Sequence, residues 1–305
     1  MDGLLLVDKP AGLTSHDVVA RLRRRLGGAK TGHFGTLDPL ATGLLIIAVG
    51  KAVRFNRYYA ARDKSYQGRI RLGVSTDTYD AEGVPTSPTC ATLPSREAIA
   101  GAVRALSGAI EQVPPPFSAK KLAGRPLYSY ARQGRQVEVR PVPVFIHEFE
   151  ARLAEPSFLE FSVRCSSGTY VRSLAHDLGQ ALGCGAFLAV LRRTAIGEFD
   201  IRAARPLEDI ERALESGEGE SLGIPLDHLL EDLPGSILDM EGRERVRNGR
   251  LIPYERIIGP ADADFRADEA SSEIRRLIDV DGHLIALAKI EKLSGSLTPF
   301  LVLIS

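Results

Sequence analysis

The feature that most constrains the fold is a loop rich in Gly and Thr, residues 32–43 (GHFGTLDPLATG), which leads directly into an apolar run at residues 43–49. Seven consecutive apolar residues bounded by turn residues indicate a buried β-strand. No stretch approaches the roughly eighteen apolar residues that a membrane-spanning helix needs. With 44% apolar and 26% charged residues, we expect a packed core, no disorder and no membrane association.

Strand and helix signals alternate along the rest of the chain without the regularity of a dinucleotide-binding fold, and the phosphate-binding glycine motifs are missing from the sequence. The patterns predict an α+β catalytic domain with a mixed, mainly antiparallel sheet. Strands are predicted at residues 4–7, 66–73, 145–154 and 158–165. One helix is predicted to begin at a Thr14–Asp17 capping box and to end at Gly27-Gly28. Three further helices are predicted at about 95–106, 127–132 and 170–182.

A domain boundary is predicted near residue 233, in a polar stretch containing Gly and Pro where few contacts should cross. Residues 1–233 would form the catalytic domain, with an irregular insertion at about 114–145. Residues 234–305 carry short strand candidates separated by turn signals, such as 284–290 and 300–304. That pattern favours a small β-barrel.

The formal net charge of zero hides a strong asymmetry along the chain. Residues 1–72 contain thirteen Lys or Arg against five Asp or Glu, and residues 117–152 contain seven against three, whereas residues 206–244 contain two against twelve. Basic segments within a neutral chain are typical of a face that binds a polyanion, although ordinary solvated surfaces would explain them as well.

The three cysteines are odd in number and widely spaced, and the six histidines are scattered. Neither pattern indicates a disulfide framework or a metal site. The N-terminus lacks the basic region of a signal peptide. These features predict a cytoplasmic protein without a bound metal.

Asp38 stands between Leu37 and Pro39 in the Gly- and Thr-rich loop, at the entrance of the predicted strand. A carboxylate there is presented on a turn, and the following proline restricts its backbone. If Asp38 has a chemical role, it would be a nucleophile or a single base, since no second acid lies nearby in sequence. The alternative is an aspartate that caps its own turn.

The longer string GHFGTLDPLATGLLIIAVGKAVR resembles the nucleophile motif of the bacterial tRNA pseudouridine-55 synthase family. Four other groups of residues are similar to further motifs of that family, and together they span most of residues 1–200. They are LLLVDKPAGLTSHDVV at the N-terminus, KSYQGRIRLGVSTDTYDAEG at 64–83, the RNA-gripping insertion PPPFSAKKLAGRPLYSYARQG at 114–134, and CSSGTYVRSLAHDLG at 165–179 with LRRTAIG at 191–197. The C-terminal segment is similar to the PUA-type RNA-binding barrel of the family.

The resemblance implies roles for three catalytic residues. Asp38 would be the nucleophile. Tyr66 would stack on the extruded uracil with its hydroxyl near the reacting base, although a tyrosine on a half-buried strand would need no such role. Arg172 would hold Asp38 ionised through a two-pronged hydrogen bond.

Four further residues would contact or support the RNA. Tyr170 would lie beneath the base, and Leu191 would form the apolar wall opposite Tyr66, although simple core burial describes Leu191 nearly as well. His33 would take the place of the flipped nucleotide, or would be an ordinary solvated loop histidine. Lys9 would support the active site through its Lys-Pro turn.

The reaction that the resemblance implies is isomerisation of uridine 55 in the TΨC loop of tRNA, by a monomer acting on the T-arm without a protein partner. The nucleotide must be flipped out of the loop. Whether Asp38 attacks C1′, attacks C6 or promotes a glycal route stays open. No group is consumed, so no cofactor is expected. The alternatives are a tRNA-binding folding chaperone without essential catalysis, and a pseudouridine synthase that acts on a different RNA.

Overall fold

The computed structural model describes residues 1–118, 120–122, 124–135, 137–258, 273–291 and 295–304, with only the backbone of Glu220. Within these ranges no helix is both long and apolar enough to cross a membrane.

An eleven-stranded sheet dominates residues 1–225. Its strands are β1 (Gly3–Lys9), β2 (Thr31–Phe34), β3 (Thr42–Val49), β4 (Lys64–Leu72), β5 (Gly108–Gln112), β8 (Val142–Glu155), β9 (Phe158–Cys165), β10 (Ala186–Ile196), β11 (Phe199–Asp200), β12 (Arg205–Pro206) and β13 (Ile224–Pro225). Between β5 and β8, the insertion forms a separate two-stranded hairpin of β6 (Lys121–Leu122) and β7 (Arg125–Pro126).

The main path of the sheet runs β12-β1-β3-β10-β4-β9-β8-β5. Only β1–β12 and β3–β10 are parallel pairs, so the predicted mixed, mainly antiparallel sheet is confirmed. The predicted strands correspond to β1, β3, β4, β8 and β9. The strands β2, β5 and β10 and the two-residue strands β11, β12 and β13 have no counterpart among the predicted strands, although β10 is the central strand that joins the two halves of the sheet.

Seven helices accompany the sheets in the described ranges. They are α1 (Ser15–Arg25), α2 (Asn56–Ala60), α3 (Arg96–Ala105), α4 (Leu127–Ala131), α5 (Val171–Ala181), α6 (Leu207–Glu215) and α7 (Met240–Arg247). The Thr14–Asp17 capping box is present, with both reciprocal hydrogen bonds. At the other end of α1, Gly27 and Gly28 adopt the left-handed conformation that ends a helix.

β3 is buried on both of its faces, which explains its unbroken apolar sequence. Leu45, Ile47 and Val49 belong to a core covered by α1, α3, α5 and α6. Leu44, Ile46 and Ala48 face a second apolar cluster on the opposite side of the sheet. The loop that carries Asp38 therefore leads into a strand that is buried along nearly its whole length.

The C-terminal residues form a second, five-stranded sheet. Its strands are β14 (Gly235–Ile237), β15 (Ile252–Pro253), β16 (Ile274–Ile278), β17 (Leu284–Glu291) and β18 (Ser296–Val302), in the order β14-β16-β17-β18-β15. A bridge between Leu238 and Ile257 connects the two ends of this order. The sheet thus curls towards a small barrel, as predicted, although β18 begins and ends earlier than the predicted strand at 300–304.

The two sheets share an apolar cluster. Leu287 and Leu301 of the second sheet pack in the same cluster as Leu6, Phe34 and Ile46 of the first. The expectation that few contacts join the segments before and after residue 233 is therefore wrong. The apolar side chains of the two segments are far apart in sequence and meet only in the folded chain. A boundary near residue 233 stays a prediction.

Candidate active site

The loop that carries Asp38 is held by its backbone, which leaves the side chain free to point into a cavity. The Ser15 hydroxyl donates to the Leu37 carbonyl at 3.1 Å and accepts from the Leu37 N–H at 2.8 Å. On the other side of Asp38, the Pro39 carbonyl accepts from the Gly12 N–H at 2.8 Å and lies 3.4 Å from Lys9 Nζ. These contacts fix the two neighbours of Asp38 and so limit its movement.

Arg193 holds the same loop from the side of β10, and it is only 1% exposed. Its guanidinium donates to the carbonyls of Gly35 (3.0 Å), Thr36 (3.2 Å) and Leu44 (2.8 Å). Gly43 lies against the Arg193 backbone so closely that a Cβ there would come within 2.3 Å of the Arg193 carbonyl oxygen. A glycine is therefore required at the start of β3.

Asp38 opens into a cavity of about 440 Å³. Five of the seven residues proposed from the sequence line it together: Asp38, Tyr66, Tyr170, Arg172 and Leu191. The insertion contributes Ser118 and Lys120 to the wall. The structure thus brings together residues from the loop after β2, from β4, from the start of α5, from β10 and from the insertion.

Arg172 connects two carboxylates inside this site. Its Nε lies 2.9 Å from Asp38 Oδ2, and its Nη1 lies 3.4 Å from Asp80 Oδ2. The two remaining hydrogen bonds of the guanidinium go to the carbonyls of Thr78 (3.2 Å) and Phe117 (3.0 Å). The predicted two-pronged bond to Asp38 is therefore wrong: one prong reaches Asp38, and the other donors hold the neighbouring loops.

The acidity of Asp38 reflects opposing influences. Burial raises the pKa of its carboxyl, the Arg172 guanidinium lowers it, and the negative charge of Asp80 raises it again; the net direction is upward. The Asp38 side chain remains 35% exposed to the cavity, whereas Arg172 and Asp80 are 7% and 4% exposed. The Asp38 carboxylate is thus accessible from the cavity, while Arg172 and Asp80 are buried.

Tyr66 lies directly opposite Arg193 in the pairing of β4 with β10. Burial raises the pKa of the Tyr66 hydroxyl, with the Arg193 guanidinium acting in the opposite direction. The phenol is therefore neutral near pH 7. Leu191, which is 6% exposed, lines the same cavity two positions before Arg193 along β10.

Tyr170 is the N-cap residue of α5. The buried amide of Gln112 accepts from the Tyr170 N–H at 2.7 Å and donates to its carbonyl at 3.1 Å. Tyr170 makes no side-chain capping bond, and the first turn of α5 carries no acid. Tyr170, Val171 and Arg172 line the cavity, so the N-terminal end of α5, which carries the positive end of the helix dipole, borders the space that holds Asp38.

Lys9 and His33 do not line the cavity. Lys9 is fully buried beneath the loop, and its ammonium donates to the carbonyls of Leu13 (2.7 Å) and Pro10 (2.8 Å). Burial lowers the pKa of Lys9 to about 8, against the influence of Asp38. His33 is half-buried on β2, next to the loop, and burial lowers its pKa as well. Lys9 therefore has the position of a support for the loop.

Sequence reasoning missed three charged residues of the site: Asp80, Arg193 and Lys64. Lys64 lines the cavity and donates to the carbonyls of Ala60 and Arg62, each at 2.6 Å. All three lie within the family-like motifs at residues 64–83 and 191–197. A charged residue in a segment that is expected to be buried is the sequence signal that could have identified them. That signal does not identify the partner of each charge.

The arrangement is suited to chemistry on a flat polar ring. Aromatic and aliphatic side chains, Tyr66 and Leu191, form walls of the cavity, and one accessible carboxylate enters it. A carboxylate in this setting can act as a nucleophile or accept a proton.

The chain belongs to the TruB family of pseudouridylate synthases. Residues 23–171 match the N-terminal domain of the family, described as "TruB family pseudouridylate synthase", and residues 172–236 match the "tRNA pseudouridylate synthase B C-terminal domain". Curated relatives carry the name "tRNA pseudouridine synthase B", and two of them illustrate the similarity. The one from Solibacter usitatus is 39% identical over 95% of this chain and 96% of its own. The one from Opitutus terrae is 50% identical over 74% of this chain and 93% of its own.

Solved structures with the same fold include a Cbf5-Nop10-Gar1 complex. The matched chain of that complex superposes with a TM-score of 0.71 at 26% identity, over 99% of this chain and 84% of its own. A chain in an H/ACA RNP bound to a substrate RNA superposes with a TM-score of 0.73 at 23% identity, over 99% of this chain and 85% of its own. The α+β fold with its second sheet is thus shared with these solved structures.

Proposed function

We propose that this protein converts uridine 55 in the T loop of tRNA into pseudouridine, with Asp38 as the catalytic carboxylate. One observation carries the proposal: in a member of this family, Asp38 enters the cavity 2.9 Å from Arg172 Nε, beside Tyr66 and Leu191. Names of the relatives supply tRNA as the substrate class. Position 55 rests on the sequence motifs.

The reaction makes three demands on the site. The bond between C1′ and N1 breaks, the uracil turns within the pocket, and a bond forms between C1′ and C5. The hydrogen of C5 leaves as a proton and N1 gains one, so the reaction is an isomerisation. Asp38 acts as nucleophile or base, Tyr66 stacks on the uracil, and Leu191 closes the opposite wall. Tyr170 lies beneath the base.

RNA must present the uridine outside its stack, because the cavity cannot admit a loop. His33, next to the catalytic loop, fills the place of the flipped nucleotide, and Lys9 supports the loop from below. The basic segment of α1 and the insertion at about 114–145 grip the T-arm through its phosphates. The bond from Arg172 to the Phe117 carbonyl ties this insertion to the catalytic carboxylate.

We infer that the chain works in the cytoplasm as a monomer, without a protein partner, cofactor or metal. All three cysteines are free thiols, which suits a reducing compartment. Activity of the purified protein alone on a tRNA transcript, with sedimentation at the assay concentration, tests this inference.

Release of tritium from C5-labelled uridine in a tRNA transcript tests the function. The unmodified protein should release one equivalent, and a transcript with cytidine at position 55 should release none. Asp38→Asn should reduce the rate by on the order of a thousandfold or more while tRNA binding is retained.

Asp232→Asn is the matched control, because Asp232 also pairs with an arginine, Arg62 at 2.6 Å, but lies outside the cavity. It should keep full activity. Binding of tRNA without any tritium release would instead indicate a folding chaperone. Release from the transcript with cytidine 55 would indicate a different target nucleotide.

A further inference from the structure

Tyr79, in the loop between β4 and α3, has an unusual backbone conformation. Its φ is +65°, in the left-handed region, and among the described residues that are not glycine only Leu230 shares a positive φ. A bulky residue is unfavourable there and persists only where its surroundings hold it in place. The contacts of Tyr79 therefore indicate what the loop is built to do.

Tyr79 stacks face to face on His176 of α5. The ring centroids are 3.8 Å apart and the planes differ by 11°. His176 follows Arg172 by one helical turn, so the two side chains leave α5 on the same side. His176 Nδ1 is buried and has no hydrogen-bond partner within the described part of the chain, and burial lowers the pKa of the imidazole. His176 thus presents a neutral, flat ring.

The residues on either side of Tyr79 both contact Arg172. The Thr78 carbonyl accepts from Nη1 at 3.2 Å, and Asp80 Oδ2 lies 3.4 Å from the same nitrogen. The Thr78 hydroxyl also donates to Asp80 Oδ1 at 2.6 Å. A left-handed residue between them is what turns both groups towards the same guanidinium.

Backbone contacts with β10 fix only the far side of this turn. The Leu188 N–H donates to the Tyr79 carbonyl at 3.0 Å, and the Ala81 N–H donates to the Leu188 carbonyl at 3.1 Å. The ring stack therefore joins the turn to α5 at a second point, one helical turn away from the contacts that Thr78 and Asp80 make with Arg172.

We infer that Tyr79 and His176 are positioning residues: their stack fixes the turn that presents Thr78 and Asp80 to Arg172, and so aims Arg172 Nε at Asp38. Neither residue lines the cavity, so neither would touch the uracil. The inference rests on the proposed function of the site.

The test compares His176→Ala with His176→Phe, which keeps a flat ring and loses only the nitrogens. His176→Ala should lower kcat about tenfold with KM and tRNA affinity unchanged, because a small misplacement of a catalytic group is enough to slow the reaction. His176→Phe should stay within about twofold of the unmodified protein. Gln180→Ala, at an exposed position of the same helix, is the matched control and should have no effect.

Two further readouts separate a positioning role from a merely structural one. In His176→Ala, the acid limb of the kcat profile should move to higher pH, because a displaced Arg172 lowers the pKa of Asp38 less. In an Asp80→Asn background, His176→Ala should have a smaller additional effect, because one of the two groups that the stack positions is already lost. Tyr79→Gly, which accepts a positive φ but lacks the ring, should reproduce the tenfold loss even if His176→Ala folds poorly.

An unchanged kcat in both His176→Ala and Tyr79→Gly would overturn the inference. So would a loss of equal size in the Asp80→Asn background, or a loss without any shift of the acid limb. If the unmodified protein releases no tritium, the proposed function fails and this inference fails with it. If it releases tritium and Asp38→Asn does not, any failure belongs to the positioning role alone.

Discussion

Arg172 Nε lies 2.9 Å from Asp38 Oδ2, and this single contact links the two residues because the other donors of the guanidinium are directed elsewhere. Burial favours the neutral form of Asp38, while Arg172 favours the charged form. The charge on Asp38 therefore depends on a balance between burial and the guanidinium, and a change at Arg172 or at Asp80 would shift it.

The rate of tritium release should fall on acidification at a higher pH than an ordinary aspartate would give. The pKa of Asp38 is raised above its ordinary value of 3.8, and only the ionised form can attack or accept a proton. Activity is thus present above this raised pKa and is lost as the pH falls through it. Lys9, Arg172 and Asp80 are the charged groups that influence it.

Single-turnover rates between about pH 4 and 8 would give the midpoint of this loss of activity at acid pH. Asp80→Asn should move it to lower pH, because it removes a negative neighbour. A midpoint at or below 3.8 in the unmodified protein would contradict the expectation.

Arg172→Ala should slow the reaction on the order of a hundredfold, because Asp38 and Asp80 both lose their shared partner. Arg172→Lys should recover only part of this loss. An ammonium can meet one carboxylate but cannot also reach the carbonyls of Thr78 and Phe117 in the geometry of a planar fork. Full activity of Arg172→Lys in single-turnover assays would show that charge alone is sufficient.

Tyr66→Phe should bind tRNA normally and lose rate on the order of a hundredfold, because it keeps the ring and removes only the hydroxyl. Tyr66→Leu should lose RNA affinity as well, since the stacking surface is gone. Filter binding and tritium release would separate the two effects. Equal, full activity in both variants would exclude Tyr66 from the site.

Arg193→Met should lower the free energy of unfolding by about 2 to 5 kcal/mol, because the carbonyls of Gly35, Thr36 and the buried Leu44 lose their donor. Arg192→Met is the matched control on the neighbouring position of β10. Arg192 pairs with Asp8 at 2.7 Å but is 41% exposed, so its loss should cost less than about 1 kcal/mol. Chemical denaturation would compare them, and equal losses would show that Arg193 is not a special anchor.

β3 and β10 show why the sequence predicted some of the fold and not the rest. β3 is apolar on both faces because both faces are buried, so its pattern identifies it directly. β10 is just as central, but Arg192 and Arg193 interrupt its apolar pattern. Arg193 can be buried because the carbonyls of Gly35, Thr36 and Leu44 accept its hydrogen bonds, and those carbonyls come from a distant part of the chain.

The site, like the strands, was predictable where a local pattern identifies a residue and not where contacts between distant segments decide. The motifs identified Asp38, Tyr66, Arg172, Tyr170 and Leu191, and the structure brings these five around one cavity. The motif residues gave no indication that Arg172 divides its donors among Asp38, Asp80 and two carbonyls. That division depends on how three loops meet, which no local pattern specifies.

The last prediction concerns the second sheet, which shares an apolar cluster with the first. A chain ending at Leu233 would lose Leu284, Leu287, Leu301 and Leu303, each at most 5% exposed, from a cluster that also contains Leu6 and Phe34. Removing buried side chains of this size typically costs about 2 to 5 kcal/mol each when a cavity remains, and here the remaining face would meet water. We therefore expect the shortened chain to unfold at a clearly lower temperature and to aggregate more readily than the full chain.

Chemistry should survive in whatever fraction of the shortened chain stays folded, because every residue that lines the cavity precedes position 194. That fraction should modify an isolated T-arm stem-loop at a near-normal single-turnover rate. Thermal unfolding together with this assay separates the two effects, and Val280→Ala, at an exposed position in the turn between β16 and β17, serves as the control. A shortened chain that melts at the same temperature would show that the shared cluster adds no stability. A folded but chemically inactive shortened chain would show that the second sheet helps to build the active site, since its contacts would then matter to the chemical step and not only to binding.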